Sequence, residues 1–583
     1  MKKLMLSALA ATCALGAFAS KTKGVFVNSD AWNFWYLCEA QKTEMATMDR
    51  DQLIAAINAD VDAYARRGAV EAVFYNMNFQ RSFYPTKVGT PIWKDCEIKT
   101  VGEGTNTVEK LFLRGKEVTK KHAAGFIRMI RRAKRMNELL PEFMELRYKR
   151  CHEKGIEMWH SMRMNDVHNT GIGEEDIPQH CDLWVNHKDL IRAWYRHFER
   201  VIREDNCLDY GQKEVYDYHL AMVREYLMDY VSDGLELDWG RSGPVFKPGF
   251  DEMNTPILTQ FMRDVRKIAD EAAKKWGHPM RIAVRVPNRV NDALGQGMDI
   301  ATWAKEKLVD VVMPTSHHHS PEQQCEVALY RIIAPDVILA PCLDCTAGSG
   351  VSLFYTADAA RYDAGFASGW YQQGADTMYF YNHFSHHFVE NQGSDVGLWL
   401  SADRDRAAKA PRRHIYTSHD PNGEGKFEES CYPAQIWKNS SNGGIKINCG
   451  EQVAGRKAVV IFGLKKGTPF TAKIRVNTED CPALAPSGRP LPVLPKLFIL
   501  FTESLFLFSS STVTAFPSLS KRETQKIFFS NSLNSSELFL SKGNGNSNSL
   551  SIFIRLLPSS NTNPLLSNIL GKLELPTFKY SKR

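Results

Sequence analysis

Glu236 and Asp238 stand two residues apart in the run YVSDGLELDWGRSG (230–243), with Asp233 just before them. At that spacing on an extended chain both carboxyls face the same side. Leu235 and Leu237 face the other. A strand that buries leucines on one face and carboxylates on the other holds its charges for a reason, because burying unpaired charge is costly. Two carboxyls in one site suit hydrolysis by an acid and a nucleophile or base. Asp238 is the first choice for the reacting carboxylate. Glu236 lies one inward layer deeper, roughly 6–7 Å along the strand, where it raises its neighbour's pKa. It is expected to act by tuning and orienting, through Arg163, rather than by touching the bond. Asp344 is the expected second carboxyl, with Asp166 next.

Polar and aromatic residues end the other apolar runs. Asn78 follows one, His160, Arg163, Asn165 and Asp166 another, then Arg285, His317, and finally Tyr381 and Asn382, while Trp239 follows Asp238 directly. Amides, an arginine and aromatic faces in one bowl suit a sugar, whose hydroxyls need polar partners and whose C–H face stacks on rings. All ten are candidate substrate-binding residues. A blander alternative is a buried Arg163–Glu236 salt bridge, which is compatible with a nearby site. Adjacent residues of the His317–His319 run point to opposite sides of an extended chain and cannot all bind one metal. No H-E-x-x-H pattern occurs, no Gly-rich phosphate loop follows a strand, and neither a metal nor a cofactor is expected.

The elements that must position these residues form eight runs: GVFVNSD (24–30), AVEAVFYNMNF (69–79), GIEMWHSMRMND (155–166), DGLELDW (233–239), RIAVRVPN (281–288), VDVVMPTSHHH (309–319), DVILAPCLD (336–344) and ADTMYFYNHF (375–384). Helical periodicity lies between most of them, over 51–67, 119–150, 185–203, 213–232, 255–276 and 357–372. Eight alternating units predict an α/β fold, a (β/α)8 TIM barrel over 20–400, with an open doubly wound sheet as the alternative. In a barrel Glu236 and Asp238 face the axis, and Asp238 reaches the C-terminal mouth.

DGLELDWGR resembles the fourth-strand signature D-G-x-D-x-D-x-E of chitinase-like glycoside hydrolases. Asp233, Gly234, Glu236 and Asp238 match, with Glu for one Asp, but Gly240 stands where that family has its acid. The substrate-assisted mechanism of that family is therefore not implied. The architecture as a whole, over roughly 24–480, resembles the bacterial glycoside-hydrolase-like barrels of the glycosyl-hydrolase-like family 10 type. That resemblance implies an exported glycoside hydrolase acting on an oligo- or polysaccharide. A non-catalytic, lectin-like barrel that has lost its acid is the alternative, favoured by Gly240, and a barrel hydrolase or lyase outside carbohydrates is a third reading.

The ends of the chain differ from the middle. Residues 1–19 read as a signal peptide with cleavage after Ala19, so a secreted or periplasmic protein is expected. Residues 401–426 read as a linker, and 427–490 as a β-rich, sandwich-like and incomplete domain. Residues 491–583 read as a low-complexity, disordered or out-of-frame tail, and 18 of the last 88 residues are Ser. The formal net charge of +7 comes from the ends: the tail contributes +6 and the signal +2, so residues 20–495 are near −1. That excludes a basic nucleic-acid surface as the main feature. The 12 cysteines are scattered and spell no disulfide scaffold. No membrane span is expected.

Overall fold

The computed structural model describes residues 22–30, 45–103, 106–118, 123–170, 177–195, 203–315, 325–344, 359–385 and 394–412, and, as backbone only, short strands within 346–352 and 413–556. The expected sandwich and tail, and His317, thus lie outside the residues whose side chains are described.

Eight parallel strands close into a barrel. They are β1 (Val25–Asp30), β2 (Val70–Asn76), β3 (Glu157–Arg163), β4 (Gly234–Asp238), β5 (Arg281–Pro287), β6 (Val311–Thr315), β7 (Ile338–Leu339 and, after a break, Cys342–Asp344) and β8 (Tyr379–Tyr381). Each pairs with the next, and β8 pairs with β1 to close the ring. All eight expected runs become strands, and the open sheet is excluded. Apart from a register shift between Val25 and Phe26, the ladder is continuous from β1 to β6. At β7 the pairing changes partner: Ile338–Leu339 pair with β6 and Cys342–Asp344 mainly with β8, while between them Ala340 donates its N–H to the Val312 carbonyl and the Pro341 carbonyl accepts from the Tyr379 N–H, each at 3.0 Å. Pro341 has no N–H to give to a ladder.

Helices cover the outside: α1 (Arg50–Ala65), α2 (Ala123–Leu139), α3 (Phe143–Glu153), α4 (Lys213–Asp229), α5 (Asp251–Trp276), α6 (Val327–Ile333), α7 (Ala359–Gln372) and α8 (Ser394–Ser401). Their limits follow from capping chemistry. Asp49 and Gln52 form a reciprocal capping box before α1. Acidic Asp251 and Glu252 open α5, and Gly277, at φ 77°, ends it in the left-handed conformation. Two expectations differ. The helical pattern at 119–150 is broken into α2 and α3, and the described part of 185–203 holds the end of the short Asp182–Asn186 helix and a turn at Lys188–Leu190 before Ile191 bridges to Leu208. A three-stranded antiparallel sheet, Cys96–Val101, Val108–Leu113 and Lys116–Glu117, is inserted between β2 and α2.

Strand alternation sorts the barrel wall. Leu235 and Leu237 pack outward in the main core, whereas Phe26, Phe74, Trp159 and Tyr379 fill the interior floor. Phe74 lies 4.8 Å from Trp159 and 5.3 Å from Tyr379, centroid to centroid. Gly234 leaves room for the indole: a Cβ there would lie 2.5 Å from the Trp159 ring and 2.5 Å from the Arg281 carbonyl oxygen. Gly234→Ala is therefore expected to cost about 3 kcal/mol, the upper part of the overpacking range, since neither backbone nor a buried indole can move aside. Urea unfolding checks this, and a loss under about 0.5 kcal/mol would show that the floor yields.

Candidate active site

The upper inward layer of the barrel is polar. Asp238 ends β4, and both its oxygens are held by Arg285 of β5: Nε donates to Oδ1 at 2.8 Å and Nη2 to Oδ2 at 3.0 Å. Nη1 of the same guanidinium donates to Thr315 Oγ1 of β6 at 3.0 Å. From the far wall, the Tyr381 hydroxyl of β8 donates to Asp238 Oδ2 at 3.2 Å, and its ring lies 3.7 Å from the Arg285 guanidinium. Asp238 and Arg285 are 1% and 2% exposed, so the pair is desolvated. Burial works against the arginine's charge, but Asp238 outweighs it and holds Arg285 firmly protonated.

One layer below, Glu236 is fully buried. The Tyr379 hydroxyl donates to its Oε2 at 2.8 Å, and Oε1 has no hydrogen-bond partner. Burial first, and the neighbouring Asp238 second, push the carboxyl up to about 7. At neutral pH Glu236 is thus substantially a neutral acid. The expected Arg163–Glu236 pair does not form. Arg163 instead bridges Asp30 of β1, Nη2 to Oδ2 at 2.6 Å, and Asp166, Nη1 to Oδ2 at 3.0 Å. Two carboxylates in the mouth layer outcompete one acid that burial keeps protonated.

Asp166 continues into a side chain that sequence reasoning passed over. His168 Nδ1 lies 2.8 Å from Asp166 Oδ1, and its Nε2 lies 2.7 Å from Arg241 Nη2. A guanidinium only donates, so Nε2 must accept; Nδ1 then bears the proton and gives it to Asp166. Burial also lowers the His168 pKa despite the adjacent carboxylate, while Asp166 is held well below the usual carboxylate range against its own burial, by His168, Arg163 and Arg241. The D-x-H spacing after β3 was the available signal.

Asp344 ends β7 on the inward side, since it alternates with Leu343 and shares its face with Cys342, which belongs to the interior cluster. It stands opposite Tyr381 in register. Burial pushes the Cys342 thiol up to about 12, and the thiol lies within electrostatic reach of Arg285, Asp344 and Glu236. Asn382 follows Tyr381 at φ 54°, its N–H donating to Asn28 Oδ1 at 3.4 Å. Asn78 ties β2 to β3: its Nδ2 donates to the Arg163 carbonyl at 3.3 Å, and its Oδ1 accepts the Arg163 N–H at 3.1 Å.

Three expected bowl residues lie elsewhere. His160 is out of phase with Arg163 and faces the helices, 5.6 Å from Tyr226 of α4, its pKa lowered to about 4 by burial. Trp239, one residue past Asp238, turns outward onto Tyr210 and Phe261, at 5.1 and 5.9 Å. Asn165 braces the chain at Leu208, exchanging two hydrogen bonds of 2.9 Å with its backbone. Asp233, the first place of the chitinase-like motif, lies at the opposite end of β4, where it accepts the Met158 N–H at 2.8 Å. At Gly240 a Cβ would lie 2.6 Å from Thr315 Cγ2 and 3.4 Å from the Arg285 guanidinium carbon. The place of that motif's acid is thus filled by Thr315 and by Arg285, the arginine that holds Asp238.

Among the described residues no group of three or more His, Cys, Asp or Glu side chains could hold a metal ion, and no helix is long and apolar enough to cross a membrane. No protein-family model matches the sequence, and no curated protein sequence matches it. Solved structures similar to this chain include glycoside hydrolases. A GH36 alpha-galactosidase, AgaA of Geobacillus stearothermophilus, in complex with raffinose, is 10% identical with a TM-score of 0.32, the match covering 88% of this chain and 56% of that one. AgaB of the same organism is 12% identical with a TM-score of 0.33 and the same coverages. The catalytic domain of psychrophilic chitinase B from Arthrobacter TAD20 is 12% identical with a TM-score of 0.31, over 67% of this chain and 96% of that one. The chain thus spans just over half the length of the galactosidases it matches. The barrel assignment rests on the strand order and not on these likenesses.

Proposed function

We propose that the protein is an exported glycoside hydrolase whose carboxyl pair is Asp238 and Asp344. The observation that supports this most directly is their placement. They end inward-facing strands three positions apart around the ring, and Tyr381, in register with Asp344, reaches across to donate to Asp238. Arg285 supplies a counter-ion to both oxygens of Asp238, the carboxyl proposed as nucleophile or base. Of the four acceptor positions on the carboxylate, Arg285 takes two and Tyr381 one, which leaves one lone pair for a sugar or a water. Asp344 supplies the proton to the leaving oxygen. Glu236, neutral beneath them, keeps a second negative charge from accumulating under Asp238 and touches no substrate.

A lectin-like reading is favoured by one observation: both Asp238 oxygens are already engaged by a guanidinium, and no acid fits at Gly240. The two readings separate in a screen of plant, algal and host glycans for reducing-sugar release by the full chain and by Asp344→Asn. Wild type is expected to hydrolyse one class, and Asp344→Asn to lose roughly 10²–10⁴-fold in kcat, the usual worth of a general acid. Equal binding of one glycan by both forms with hydrolysis by neither establishes the lectin. Failure of both forms to bind or cleave any glycan defeats both readings.

A further inference from the structure

Three arginines converge on the mouth, and they are not equivalent. Arg163 has Asp30 and Asp166 as counter-ions, and Arg285 has Asp238. Arg241, in the turn Trp239–Arg241 directly after β4, is 6% exposed; among the described residues no carboxylate lies at ion-pair distance from it, the electrostatic influence of Asp166 reaching it past His168. Its one hydrogen bond, from Nη2, goes to the neutral ring of His168. Its Nη1 is buried and donates to nothing. Buried charges in folded proteins are paired, and a buried donor without an acceptor is costly, so an exception calls for a cause.

The surroundings supply one. The Asp166–His168 relay fixes the guanidinium by one edge and leaves its other nitrogen unused. The His168 side chain is 29% exposed, so this corner of the bowl meets solvent. Arg241 also lies within electrostatic reach of Tyr381, the residue that touches Asp238. A planar fork with a buried, unpartnered N–H behind a partly exposed polar corner matches a planar or tetrahedral oxyanion.

We infer that Arg241 is the receptor for an anionic substituent, a carboxylate or a sulfate ester, on the sugar that enters the bowl; the substrate class is an acidic glycan, and this inference rests on the carbohydrate reading above. Histidine's part is positional: it holds the fork without neutralising it, which an aspartate in its place would do.

The test is calorimetric titration of the full chain with matched probes: an oligogalacturonate and its methyl ester, and a sulfated galactan oligosaccharide and its desulfated form. Wild type is expected to prefer one charged member over its neutral partner by about tenfold or more, as a charge-assisted fork does. Whichever pair shows the preference separates carboxylate from sulfate. In Arg241→Gln the preference falls to near unity while the neutral glycan still binds. Should Arg241→Gln not fold, Arg241→Lys keeps the charge and loses the fork, and the preference must drop severalfold. Equal affinities for charged and neutral partners in wild type, or a preference unchanged in either variant, overturns the inference. A sugar-free arm separates the two readings. If no glycan binds, but sulfate or acetate raises the Tm of wild type and not of Arg241→Gln, the anion site stands and the carbohydrate reading falls; if neither ion does so, the anion site falls as well.

Discussion

Asp238→Asn is expected to lower stability by about 3–5 kcal/mol, because it leaves Arg285 as an uncompensated buried cation. The amide keeps the shape of the carboxylate but turns one acceptor into a donor, aimed at a guanidinium that only donates. It also removes the charge that holds Arg285 in place beside the Tyr381 ring. Pairing it with Arg285→Met should recover much of the loss, since removing both buried charges spares the desolvation that breaking one leaves behind. Urea unfolding of the four corners of this cycle gives the coupling. A single-mutant loss under about 1 kcal/mol would mean that the pair is hydrated. Activity is read separately, at a temperature where circular dichroism shows the variant folded. There kcat should fall by at least about 10³-fold if Asp238 reacts with the sugar, and little if it only shapes the bowl.

Glu236→Gln acts in the opposite direction. The unfolded chain releases this proton near pH 4.3, whereas the folded protein keeps it until about pH 7. Between those values the native state binds more protons than the unfolded one, so stability contributed by this group is complete below pH 4, declines through the window and levels off above pH 7. Glutamine mimics the protonated form at every pH and still accepts from the Tyr379 hydroxyl. The variant should match wild type at pH 4 and exceed it by about 3 kcal/mol at pH 8, a shift of this size being worth that much. Urea midpoints at pH 4, 6 and 8 decide it. Parallel curves for the two proteins would show that Glu236 is ionised throughout, and the charge balance drawn for the bowl would be wrong. If the proposed roles hold, kcat at pH 6 should be little changed, because the glutamate there is already neutral.

The barrel was legible because each strand is short, apolar and closed by polar residues, and because eight such runs alternate with helical periods. The inward phase of β4 was legible too, from the alternation of leucines and carboxylates. Applied consistently, the same alternation would have placed His160 and Trp239 correctly. Residues an odd number apart on one strand cannot share a face, and His160 is three from Arg163 while Trp239 is one from Asp238. The partners were not legible. Arg163 finds Asp30 across 133 residues and Asp238 finds Arg285 across 47, and no local pattern encodes which of several arginines and carboxylates will meet. Arg241 was hidden for a related reason: its importance lies in the counter-ion it lacks, which only the assembled bowl reveals.

The break in β7 divides the barrel into unequal walls. From β2 to β5 every strand is paired with both neighbours along most of its length, so local opening there has to disrupt a dense hydrogen-bonded network. β7 is stitched more thinly: Ala340 still donates its N–H to the Val312 carbonyl and the Pro341 carbonyl still accepts from the Tyr379 N–H, but the segment that ends in Asp344 has one rung to β6 and three to β8. Local opening is cheapest where such bonds are fewest. Asp238 therefore stands on the stiff jaw of a vice and Asp344 on the more thinly sprung one.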